Sequence, residues 1–162
     1  MTVAEAERTG LPLAVGCVML MLETSGGHNV FGHDRTPLPD DRLPYRKGGP
    51  VTEATYRAYK EMRGPDGKGP GGRQGVGPTQ LTWHTLQDRA DALGGCWIPE
   101  INIRIGFETL AGHVRRHGVR DAFALYNTGD TYVPGPPGKP NYAEKAMDRL
   151  PHWESVVGEA SR

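Results

Sequence analysis

The chain is short of almost everything that would announce a partner. Its 162 residues carry no net formal charge, with 19 Lys and Arg against 19 Asp and Glu. No polyanion-binding surface is expected, which argues against nucleic acid. Cysteine is nearly absent: Cys17 and Cys96 are the only two, too few for a disulfide framework. Cys17 lies inside an apolar run and reads as a small buried residue. That run, Leu11 to Leu22, spans twelve residues, where a bilayer needs about 20. It also lacks the basic start and small-residue cleavage site of a secretion signal. No membrane insertion is expected. Action beyond the cytoplasm would need release of the protein by lysis or delivery by another factor.

Catalytic signatures are also missing. His28, His33, Asp34, His84 and His113 are ligand types, but no HExxH or CxxC spacing joins them, so no metal is expected. No G-x-S-x-G elbow surrounds Ser25, and "GPDGKGPGG" lacks the G-K-[ST] ending of a phosphate loop. Cys96 with a distant His would make a thiol nucleophile in type only. No cofactor is expected.

Glycine (23) and proline (14) are abundant, so long loops are expected. The length suits one domain, residues 1–162. Residues 1–9 read as a polar helix. Leu11 to about Thr24 is apolar on nearly every face and predicts a helix central to the core, stopped by Gly26 and Gly27. Residues 28–50, broken by Pro37, Pro39, Pro44 and Pro50, predict a long loop. Thr52 predicts an N-cap for a helix to about Arg63, with Tyr56 and Tyr59 on one face. Residues 64–78 predict an exposed glycine-rich flap ending in a tight turn. Helices are expected over 79–92, 101–117 and 119–126. A Pro–Gly loop follows at 134–140, and Asn141 caps a last helix through Leu150. A short hairpin within 28–50 or 64–82 is the only strand signal. The class is mainly α.

Four stretches hold residue types suited to chemistry. "ETSGG" puts Glu23 at the C-terminal end of the apolar helix, where desolvation and the negative end of the helix dipole both favour a protonated carboxyl. A general acid working near neutral pH needs that. "GVGPTQLTW", residues 75–83, joins glycines that allow close backbone approach to Gln80, whose amide donates and accepts. "ALYNTG", residues 124–129, offers Tyr126 and Asn127. "NYAEKAM", residues 141–147, offers Tyr142. Each alone also reads as ordinary architecture: a solvated Glu, a glycine turn, a buried Tyr with a capping Asn, a capped helix.

Taken in order, these stretches resemble the lysozyme superfamily, above all the soluble lytic transglycosylases and their goose-type relatives. A helix ending in the catalytic Glu, here Glu23, is followed by a Ser, here Ser25, one residue later than usual. A G-x-M-Q-L-like motif follows as Gly77-Pro78-Thr79-Gln80-Leu81, with Thr79 in place of Met. Then come "NIRIGFETL" (102–110), "ALYNTG" and the Tyr142-Ala143 pair. The ensemble is also similar to the wall-cutting domain of endolysins from phages of actinobacteria. "ETSGG" and "GVGPTQLTW" are similar to the "ETTGG" and "GRGPxQL" pieces of plant-type chitinases as well.

The resemblance implies an α+β lysozyme-like fold: a helical core around a central buried helix, with a glycan cleft lined by long loops. It implies a monomer acting at the bacterial cell wall on peptidoglycan strands. The implied reaction cleaves the β-1,4 bond between N-acetylmuramic acid and N-acetylglucosamine. Glu23 would be the acid and then the base of a lytic transglycosylase. Ser25, Gln80, Tyr126, Asn127 and Tyr142 would contact sugar, and Ser25 and Tyr126 would also orient Glu23. Two alternatives remain. One is a hydrolytic muramidase or chitinase-like enzyme with Asp34 as second carboxylate. The other is a glycan-binding or structural module that cuts nothing.

Overall fold

A computed structural model describes residues 2–160 and is mainly helical. Among these residues the α-helices are α1 (Thr2–Thr9), α2 (Leu13–Thr24), α3 (Glu53–Arg63), α4 (His84–Ala92), α5 (Pro99–His117), α6 (Val119–Thr128) and α7 (Tyr142–Ala160). A single 3-10 turn spans Asp40–Arg42. No described helix is long and apolar enough to cross a membrane. The chain divides into two compact units, Met1–Leu22 with Phe107–Arg162, and Glu23–Gly106.

In the first unit, the apolar helix α2 buries Val15, Val18, Met19 and Leu20. It is not buried all round: Leu13, Cys17, Met21 and Leu22 are half-exposed. A Cβ at Gly16 would stand 2.7 Å from Phe107 Cζ, so glycine there lets α2 approach the ring closely. On α1, Arg8 bridges Glu5 and Glu108, at 2.6 and 2.8 Å. Helix α6 packs on α7. The last helix does not end at Leu150 but runs to Ala160 through Pro151. Proline inside a helix forfeits the bond to the carbonyl four residues back and crowds it, but its φ is helical and no glycine follows to stop the helix until Gly158.

The second unit is built around aromatics. Phe31 stacks on Tyr45 at 4.2 Å between centroids, and Tyr59 meets both rings edge-on. Thr52 caps α3 as expected: its hydroxyl accepts from Thr55 N–H, and Thr55 Oγ1 accepts from Thr52 N–H. Arg63 is wholly buried at the other end of α3, donating to Gln87 Oε1 and Asp88 Oδ1.

Three expectations for this unit need correction. No hairpin forms in either loop. Instead, residues 29–32 lie between two other segments, with antiparallel bridges Val30–Pro50 and Phe31–Val76. Phe31 N–H donates to Gly49 O on one side, and Gly32 N–H donates to Gly75 O on the other. The glycine-rich flap is exposed at Pro65, Asp66, Lys68 and Pro70, but Gln74 to Thr79 are buried. The helix expected from residue 79 starts only at His84. Residues 77–81 instead close turns, with Gln80 N–H on Gly77 O and Leu81 N–H on Val76 O.

Candidate functional site

In the second unit, two of the quoted stretches are fastened together. Thr24, buried in the last turn of α2, donates from Oγ1 to Pro78 O at 2.9 Å. The same hydroxyl accepts from Gly27 N–H at 3.1 Å, capping the turn that leaves the helix. The residue before it, Glu23, is half-buried.

The turn itself is held by α5. Asn102 is fully buried and accepts on Oδ1 from Thr79 N–H (3.0 Å) and from Thr79 Oγ1 (2.8 Å). Its Nδ2 donates to Val76 O at 2.8 Å. This accounts for a polar residue at the buried position 79. A buried hydroxyl needs a partner, and Asn102 is that partner. Gly77 sits at φ +77°, and a Cβ there would fall 2.5 Å from Asn102 Cγ, so both the backbone angle and the space require glycine.

A second anchor is Gln74, also fully buried. Its Oε1 accepts from Asp34 N–H at 2.9 Å, and its Nε2 donates to Asp34 O and to Tyr45 Oη. Gly75 N–H then donates to Asp34 Oδ2 at 2.8 Å. Asp34 is therefore an exposed carboxylate on a backbone clamped from both directions. Among the described residues, no donor meets its other oxygen.

Among the described residues, only two that are not glycine have positive φ: Ser25 at +54° and Gln80 at +50°. Such angles cost about 1–3 kcal/mol each and concentrate at functional sites. Gln80 does not offer its whole amide to a ligand as expected. Its Nε2 is committed to Val30 O and Gly77 O, at 3.0 and 2.9 Å, so its Oε1 is what remains. Gly32 and Gly75 give that oxygen room: a Cβ on either would stand 2.6 or 2.5 Å from it. Ser25 is exposed, and its hydroxyl makes no hydrogen bond to the described residues.

Comparison with protein-family models, curated proteins and solved structures finds no match.

In the first unit, Tyr126 is half-buried in the last turn of α6, and Asn127 beside it is exposed. Asn127 does not cap the helix: its side chain bonds to none of the described residues, and Gly129 at φ +84° ends α6. Tyr142 begins α7 with its ring 6.0 Å from Phe123. The cap of α7 is reciprocal, as the sequence suggests. Glu144 N–H donates to Asn141 Oδ1, and Glu144 Oε2 accepts from Asn141 N–H. Glu144 also accepts from Tyr132 Oη and Gly135 N–H. The Asn141 N–H, then the Tyr132 hydroxyl and the Gly135 N–H, hold the Glu144 carboxyl below the usual range. A carboxyl lowered in this way stabilises the loop at and above the ordinary carboxylate pKa, and the support is lost as pH falls through the lowered value. The Gly135 amide resonance should be sharp at pH 7 and broaden as pH falls through that lowered value. Glu144→Gln should weaken the cap above that transition, match the wild type below it, and remove the pH dependence.

Sequence reading missed Gln74, Asn102 and Trp83. Nothing local marks Gln74. Asn102 begins the quoted "NIRIGFETL" stretch, and an Asn between Ile101 and Ile103 is the available signal. Trp83 is 47% exposed, with the Arg73 guanidinium 4.6 Å from its ring centroid. Cys96, weighed as a nucleophile, is wholly buried, and burial pushes its thiol up to about 12. It is unsuited to attack, and both cysteines are free.

Proposed function

We propose that this protein is a peptidoglycan-cutting glycosidase that cleaves between N-acetylmuramic acid and N-acetylglucosamine, with Glu23 as proton donor. The observation that carries this reading is the Thr24–Pro78 hydrogen bond. It ties the helix end bearing Glu23 to the glycine-rich turn bearing Gln80, two stretches the resemblance requires side by side. Backbone strain at Ser25 and Gln80 supports it further.

In the transglycosylase form, Glu23 protonates the leaving oxygen. It then takes the proton of the sugar's own 6-hydroxyl, which closes an anhydro ring, so one carboxyl suffices. The resemblance assigns Tyr126, Asn127 and Tyr142 to sugar contacts. Cell-wall action also rests on the resemblance.

The anchoring of Asp34 favours a second reading, hydrolysis. A clamped carboxylate with one oxygen unbonded by protein is equipped to hold water or stabilise positive charge. Mass spectrometry of the fragments released from actinobacterial walls separates the two. Anhydro ends, unchanged in Asp34→Asn, identify the transglycosylase. Reducing ends that disappear with Asp34→Asn identify hydrolysis. No fragments from the wild type would overturn both and favour a binding module.

A further inference from the structure

A pocket of about 500 Å³ opens in the second unit, between the 40–50 loop and the first turn of α3. Nothing in the proposed cleavage uses it. Its apolar lining is Leu43, Pro44, Pro50 and the edge of Tyr45. Lys47 stands in its wall with a side chain only 17% exposed, paired at 2.9 Å to Asp40, whose side chain is 71% exposed. Arg46 adds a second cation.

The lining argues against a sugar. A sugar ring seeks an open aromatic face and several hydrogen-bonding groups. Here Tyr45 is 6% exposed, stacked on Phe31, and its hydroxyl is engaged by Gln74. Proline and leucine surfaces suit small aliphatic side chains instead. Two cations against one acid suit a carboxylate. Asp40 is the partner an incoming carboxylate would displace, because it is largely solvated and loses little on leaving. The pocket is also linked to the candidate site: the Tyr45 hydroxyl meets Gln74, which clamps Asp34.

We infer that this pocket grips the short acidic peptide branches of the glycan strand, with Lys47 binding a carboxylate and the prolines receiving alanine-sized side chains. The inference rests on the peptidoglycan reading above.

The test compares initial clearance rates on intact walls and on the same walls stripped of peptide by an amidase. Wild type should act at least five-fold faster on intact walls. Lys47→Ala should remove that preference while keeping the rate on stripped walls and the melting temperature, and Lys47→Arg should restore it. A wild type without preference, or a Lys47→Ala variant that retains it, overturns the inference and leaves glycan cleavage standing. If wild type clears neither wall, the cleavage reading fails, and titration with muramyl dipeptide decides the pocket by itself. Saturable binding that Lys47→Ala weakens at least five-fold sustains the inference. No binding, or binding indifferent to Lys47, ends it.

Discussion

On the proposed glycosidase reading, Glu23→Gln is expected to lower the rate of wall clearance by about 10²–10⁴-fold, the range that a positioned general acid supplies. Gln keeps the size and the hydrogen-bonding reach of Glu but has no proton to give. Glu23 is half-buried in the last turn of α2, so the change should leave the fold in place. The expected result is loss of turbidity clearance with circular dichroism and melting temperature essentially unchanged. Binding to insoluble walls should persist, because the glycine-rich turn and its anchors are untouched. Equal clearance by wild type and variant would remove Glu23 from the chemistry.

Asn102→Ala is expected to have the largest effect on stability. It removes the Oδ1 acceptor of Thr79 N–H and the Nδ2 donor to Val76 O, while the Thr79 hydroxyl still reaches the backbone carbonyl at 102 at 3.2 Å and Val76 O still accepts from Leu81 N–H. Each buried polar group left unpaired costs about 1–3 kcal/mol, and neighbours in one network do not add fully. A total of roughly 1–3 kcal/mol follows, which corresponds to a fall in Tm of about 5 °C for a chain of this size. Asn102→Asp is the informative control. It keeps an acceptor for Thr79 but sets a buried carboxylate oxygen against Val76 O, so at neutral pH it should cost at least as much as Ala. Activity should drop in parallel, because the 76–80 turn positions Gln80. A Tm within 2 °C of wild type for Asn102→Ala would contradict the keystone role assigned to Asn102.

Much of the helical architecture is readable from local sequence. Thr52 and Asn141 announce their caps because capping is a contact between residues three apart. The ends of α2 and α6 follow from Gly26, Gly27 and Gly129, since glycine adopts left-handed backbone angles at no steric cost. Tyr56 and Tyr59 are buried together as their spacing on α3 suggests. For the same reason Glu23 was legible as a candidate: the break after an apolar helix lies within one turn of it.

The remainder was decided by contacts across long stretches of chain. Asp34 meets Gln74 forty residues on, Thr24 meets Pro78 after fifty-four, and Thr79 meets Asn102 after twenty-three. No local pattern encodes such partners. Residues 79–83 have no strong bar to helix, yet the Thr79 amide is spent on Asn102 and Gln80 takes a positive φ, so α4 begins late. The flap buries its second half because the Gln74 amide and the Gly75 N–H find Asp34. By itself, the sequence determined most of the helices, the caps at Thr52 and Asn141 and the place of Glu23 at a helix end, because neighbours in the chain set periodicity and capping. Only the tertiary structure decided which polar groups are spent on the fold and which remain for a ligand, because that depends on hydrogen bonds between segments far apart in the chain.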